Sequence, residues 1–167
     1  MRSSRHLVLT VIAVAAVATS AVLSPTIRIV YNPTASAPRG FYLAVPATQL
    51  QRGDLVLVTL PKTVARLAAE RGYLPTSVPA LKEIAALEGQ PVCARNGYLY
   101  IDGRATAQTL PFDGKQRALR AWKGCRVLLE GELFLVNRDA KASFDSRYFG
   151  PVDRSFVRAR ALSLWTW

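Results

Sequence analysis

The chain of 167 residues is half hydrophobic and carries 22 basic against 11 acidic side chains, a net charge of +11. That length holds one domain with a proper core, and the charge calls for a polyanionic partner or an anionic membrane surface. The basic residues are scattered from Arg2 to Arg160 without a dense run or a nucleic-acid motif, which points away from nucleic acid and towards a lipid bilayer.

Residues 1–6 form a basic, cytoplasmic leader ahead of an uncharged, mostly apolar run from Leu7 to Leu23. A helix of that length nearly spans a hydrocarbon core. The leader stays in the cytoplasm, so residues 24–167 become an extracytoplasmic domain. A cleaved secretory signal competes with this reading, since Ala18 to Ala21 offers small residues near a cut. The length of the run favours one retained N-terminal transmembrane helix.

Beyond it, Phe41 to Val45 and Asp54 to Leu60 read as strands about the turn Gln51-Arg52-Gly53. Pro61 to Tyr73 reads as a short helix with Val64, Leu67 and Ala68 on one face and Gly72 ending it. A proline-rich loop, Leu74 to Pro79, leads into a strand over Ala80 to Leu87. Val92 to Ala94 and Tyr98 to Ile101 flank Asn96-Gly97, a hairpin signal, and Asp102-Gly103 marks a second turn. Arg104 to Gly124 has weak periodicity and reads as an exposed excursion. Strands resume at Arg126 to Leu129 and Leu133 to Val136, and the chain finishes with Ser155 to Trp165. The pattern is that of a mainly β domain, a curved sheet or barrel with a short helical insert.

Two cysteines, Cys93 and Cys125, in an exported domain imply one disulfide joining two strands. Together with His6, the only histidine, they are too few for a metal site, and no cofactor is expected. The missing histidine also excludes a Ser-His-Asp or Cys-His mechanism in this domain. A hydroxyl nucleophile would then need another base. Lys82 lies inside the otherwise apolar Ala80-Leu-Lys-Glu-Ile-Ala-Ala-Leu87 and by alternation shares a face with Ile84 and Ala86. It is either a surface lysine or a base whose proton burial drives off. Ser36, in Thr34-Ala-Ser-Ala-Pro-Arg-Gly-Phe-Tyr42, is either linker or a nucleophile held by the Pro38–Gly40 bend close to the membrane. The stretch from Asn137 to Val152 gathers Ser143, Asp145, Ser146 and Arg147 against Tyr148 and Phe149. Polar groups so placed must pair, as a structural latch or as support for an active site.

These segments together resemble the serine-lysine signal peptidase superfamily, peptidase family S26, and most closely its TraF-type conjugation peptidases. Ser36 to Tyr42 is similar to a shortened nucleophile box, Arg52 to Val58 to the strand after it, and Glu70-Arg-Gly-Tyr73 to part of the TraF-type insert. Ser143 to Val152, with Asn137-Arg-Asp139, resembles the closing box. Around the base the chain departs from the family: Glu83 stands for a usual arginine and Gln90 for a common Gly-Asp pair.

The resemblance implies that Ser36 attacks the scissile carbonyl and Lys82 removes its proton. The Ser36 N–H and the Thr34 hydroxyl would hold the oxyanion, Ser143 would orient the lysine, and Asp145 and Arg147 would support the loop. It further implies an inner-membrane enzyme with its catalytic domain in the periplasm. The substrate would be a membrane-embedded precursor, the pilin of a conjugative transfer apparatus, with proteins of that apparatus as partners. A general type I signal peptidase and an inactive β-rich adaptor of a secretion complex are the alternatives.

Overall fold

The computed structural model describes residue 6, residues 10–12, residue 14 and residues 28–167. The anchor expected over residues 7–23 therefore lies outside the described residues for most of its length. No helix among the described residues is long and apolar enough to cross a membrane.

Residues 28–167 hold eleven strands, two short α-helices and a 3-10 turn over Arg154–Phe156. The larger sheet begins with β1 (Arg28–Asn32), a strand that precedes the first one expected from the sequence, at Phe41. β1 pairs antiparallel with β2 (Gly40–Val45), and β2 with β11 (Val157–Thr166). The order continues through β3 (Leu55–Val58), β4 (Ala80–Ala86), β9 (Glu132–Leu135) and β10 (Val152–Asp153). This is a linear order of seven strands rather than a closed ring. Gly40 is required where β2 meets β11: its φ is +146° and an added Cβ would stand 2.1 Å from the Trp165 carbonyl oxygen.

The second sheet, order β7-β6-β5-β8, contains β5 (Pro91–Arg95), β6 (Tyr98–Ile101), β7 (Arg104–Gln108) and β8 (Gly124–Val127). Both expected turns are present. Asn96 and Gly97 (φ 52° and 78°) and Asp102 and Gly103 (φ 52° and 73°) take the left-handed pairs that match strand twist. β7 corrects the reading of Arg104 to Gly124 as wholly exposed excursion. Its Arg-Ala-Thr-Ala-Gln sequence has no large apolar residue, and the Asp102-Gly103 hairpin recruits it to β6. The expected disulfide joins β5 to β8, where Cys93 and Cys125 face each other in register.

Alternation along β3 and β4 sends side chains to two faces. Val56, Val58, Ala80 and Ile84 pack against Ala68 of α1 (Lys62–Glu70), whereas Leu57 and Leu81 pack with Ala37, Tyr42 and Ala161. A bulge at Ala85 interrupts the alternation, so Ala86 joins a third cluster with Val92, Leu99, Ile101 and Phe134 between the two sheets. Lys82 therefore keeps the face of Ile84 but not that of Ala86. With nine residues α1 is too short to stand alone and is held by this packing. It ends in a Schellman turn: the Tyr73 N–H bonds the Ala68 carbonyl at 2.8 Å, the Gly72 N–H that of Ala69 at 2.9 Å, and Gly72 has φ +69°. That turn sets the position of Tyr73.

Candidate active site

The loop from 33 to 39 must reverse the chain between β1 and β2, and it is stitched from inside by Asn32. The buried amide donates to the carbonyls of Thr34 (3.1 Å), Ala37 (3.2 Å) and Pro38 (3.0 Å). Its oxygen accepts from the Thr34 N–H at 3.2 Å and the Thr34 hydroxyl at 2.8 Å. The Tyr42 hydroxyl donates to the Pro38 carbonyl at 2.5 Å from the strand below. Ser36 stands half-buried at the crest, its Oγ 2.9 Å from Thr34 Oγ1. The Thr34 hydroxyl proton is thus committed to Asn32 here, and an oxyanion would have to take it over.

Lys82 sits on β4 opposite Val56, only 4 % exposed, and its Nζ donates to Ser143 Oγ at 2.8 Å. No carboxylate among the described residues pairs with it. Burial pushes its amine down to about 8; the nearby Asp145 carboxylate opposes this and the Arg147 guanidinium adds to it.

Ser143 owes its place to the next residues. Arg147 is 1 % exposed and grips both oxygens of Asp145 at 2.8 Å. Its remaining N–H groups reach the carbonyls of Gln108, Ala140, Lys141 and Ser143 at 2.9 to 3.2 Å. Asp145 also caps the single turn of α2 (Ser146–Phe149) by accepting the Arg147 N–H. A guanidinium spending its donors on one carboxylate and four carbonyls leaves the loop little freedom. Phe144 packs on Tyr73, Tyr148 and Phe149 with ring centroids 5.2 to 5.8 Å apart.

The sequence reading gave no role to Asn137 or Asn32. The Asn137 side chain accepts from the Glu83 N–H at 2.8 Å and donates to the Leu81 carbonyl at 3.1 Å, so it holds β4 on both sides of Lys82. It also donates to the Ser36 carbonyl. One buried amide thereby fixes the lysine strand and the serine loop together. The signal available was an asparagine leaving an apolar strand, where a buried amide must find partners.

Ser36, Thr34, Lys82 and Ser143 line one cleft of about 590 Å³ whose walls are largely apolar and include Leu57, Leu60, Ala68, Tyr73 and Phe144. Ser36 and Lys82 face the same space without a direct hydrogen bond. A neutral amine has two N–H groups and one lone pair. With one N–H on Ser143, the lone pair remains for a hydroxyl proton. Neither disulfide cysteine lines the cleft.

A hydroxyl and a buried amine facing one apolar cleft, in a domain without histidine, are suited to hydrolysis with an amine as base. The chain belongs to the signal peptidase family, peptidase S26, whose family model matches residues 1–167; it is a peptidase. It is 36 % identical over 148 residues to the conjugal transfer protein TraF of Agrobacterium tumefaciens, covering 81 % of each chain. It is 27 % identical over 146 residues to a plasmid transfer protein TraF of Escherichia coli, covering 81 % of this chain and 82 % of that one. A signal peptidase I from Enterococcus faecalis, 21 % identical, superposes with a TM-score of 0.42 over 68 % of this chain and 97 % of its own.

Proposed function

We propose that the protein is a membrane-anchored serine endopeptidase that cuts exported precursors on the outer face of the inner membrane. The observation that carries this reading is Lys82: an amine 4 % exposed, hydrogen-bonded to Ser143 and opening onto the cleft that Ser36 lines. Such burial draws the amine down to about 8, so that near physiological pH a working fraction is neutral, as a base requires and an ordinary lysine is not.

Neutral Lys82 takes the Ser36 Oγ proton as that oxygen bonds to the scissile carbonyl carbon. The Ser36 N–H and the Thr34 hydroxyl, swung away from Asn32, stabilise the oxyanion. The Lys82 ammonium returns its proton to the departing amine as the C–N bond breaks, leaving an acyl ester on Ser36. Lys82 then takes a proton from water, whose oxygen attacks the ester, and hands it back to Ser36 Oγ. Asp145 and Arg147 hold the loop that carries Ser143.

The kinship to conjugal transfer proteins supports a precursor of a conjugation apparatus, a pilin, as substrate. The apolar run from Leu7 to Leu23 and the surplus of basic residues support anchoring beside that substrate in the bilayer. Ser36→Ala and Lys82→Ala should each abolish processing of the co-expressed precursor with folding intact. Cleavage by either variant would sink the dyad.

A further inference from the structure

The apolar cleft is not the only cavity that reaches the serine. A second, of about 620 Å³, shares Ser36 with it and no other lining residue. The second cavity is the more polar of the two: beside Ala37, Leu55 and Trp167 it is lined by Arg39, Glu83, Arg138 and Asp139, and Arg138 pairs with Glu83 across one wall. Arg138 and Asp139 follow Asn137, the residue whose amide holds the Ser36 carbonyl. This cavity is thus built onto the same support as the serine.

A peptide bond attacked at Ser36 belongs to a chain that leaves in both directions, and an extended chain moves about 3.3 Å per residue. Two residues on either side of the bond, roughly 7 Å of chain each way, already reach into both cavities. The walls sort the two halves: apolar side chains are favoured in one, charged ones in the other. In a precursor cut beside a membrane, the half released by cleavage is the exported, water-soluble one.

We propose that the Arg39–Glu83–Arg138–Asp139 cavity binds the polypeptide on the C-terminal side of the scissile bond and selects its charge. This rests on the peptidase reading above and adds to it a second specificity site. The four charges balance, so reversing one makes the cavity net negative or net positive. Arg138 and Asp139 are both exposed, and neither change disturbs the core.

The full chain in detergent micelles is incubated with an equimolar library of synthetic tetradecapeptides, and cuts are read by mass spectrometry. Only cuts absent from Ser36→Ala are counted. Arg138→Glu should raise the preference for Lys and Arg after the cut roughly two- to five-fold, the span expected of an exposed pair. Asp139→Lys should raise that for Asp and Glu by a similar factor, with preferences before the cut unchanged in both. A purely structural effect would move the two variants in the same direction. Shifts before the cut, shifts of one sign in both variants, or unmoved preferences among Ser36-dependent cuts would overturn the second site alone. A wild type with no Ser36-dependent cut would remove the peptidase reading and this inference with it.

Discussion

At the residue scale the proposed chemistry depends on how burial loosens the Lys82 proton. Its amine is drawn from 10.5 down to about 8 by burial, so below pH 8 the native state must hold a buried ammonium that the unfolded chain would solvate. The unfolded state binds more protons between about 8 and 10.5, and stability therefore rises with pH through that window. Lys82→Met removes the burden. It should stabilise the protein at pH 7 by up to about 3 kcal/mol, at roughly 1.36 kcal/mol per pH unit, and the gain should fade towards pH 10.5. Urea unfolding at the two pH values measures this; a wild type as stable as the variant at pH 7 would contradict it. In the proposed mechanism Ser143 acts through Lys82, to which it is hydrogen-bonded. Removing its oxygen in Ser143→Ala frees the amine to turn away from the cleft, and kcat should drop roughly 10- to 100-fold with KM held. A change in KM alone would instead make Ser143 a binding residue.

At the scale of elements, the closing loop is fastened more firmly than a loop needs for its own sake. Arg147→Met leaves Asp145 as an unpaired buried carboxylate and should cost about 3–5 kcal/mol. Apolar replacement of both partners often restores stability at simple buried pairs. Here it should not, because Gln108, Ala140, Lys141 and Ser143 would still lose the donor on their carbonyls. Comparing unfolding of Arg147→Met with Asp145→Leu/Arg147→Met decides it: a double variant as stable as wild type would reduce the carbonyl contacts to ornament. The latch, and the support that the proposed active site needs, share the same atoms in this stretch. Arg147 closes the loop by gripping the carbonyl of the residue whose hydroxyl meets Lys82.

At the scale of the whole molecule, the disulfide and the cleft lie apart. Cys93 and Cys125 are 32 residues apart in sequence and join strands of the smaller sheet. In the chain-entropy account such a loop contributes about 3–4 kcal/mol. Cys93→Ala/Cys125→Ala should therefore lower the unfolding midpoint and leave kcat/KM at 25 °C unchanged; a fall in kcat/KM would tie the small sheet to catalysis. The strands rich in branched and aromatic residues were legible in the sequence, as were both left-handed turns. β1 and β7 were not, for Arg28 and Asn32 blunt one pattern and the Arg-Ala-Thr-Ala-Gln of the other lacks apolar bulk. For Lys82 the apolar strand left a surface lysine and a buried one both open, since an ammonium there is costly, and the fold shows the buried one. Asn137 was not legible, since its partners lie 56 and 101 residues away in sequence and only the fold brings them near. The central claim, a buried Lys82 serving Ser36 as base, is tested most directly by the pH dependence of kcat/KM for precursor cleavage by the full chain in detergent. The rate should climb with an apparent pKa near 8, where burial sets the Lys82 amine. A climb that begins only near 10.5, the ordinary lysine value, would contradict a buried base.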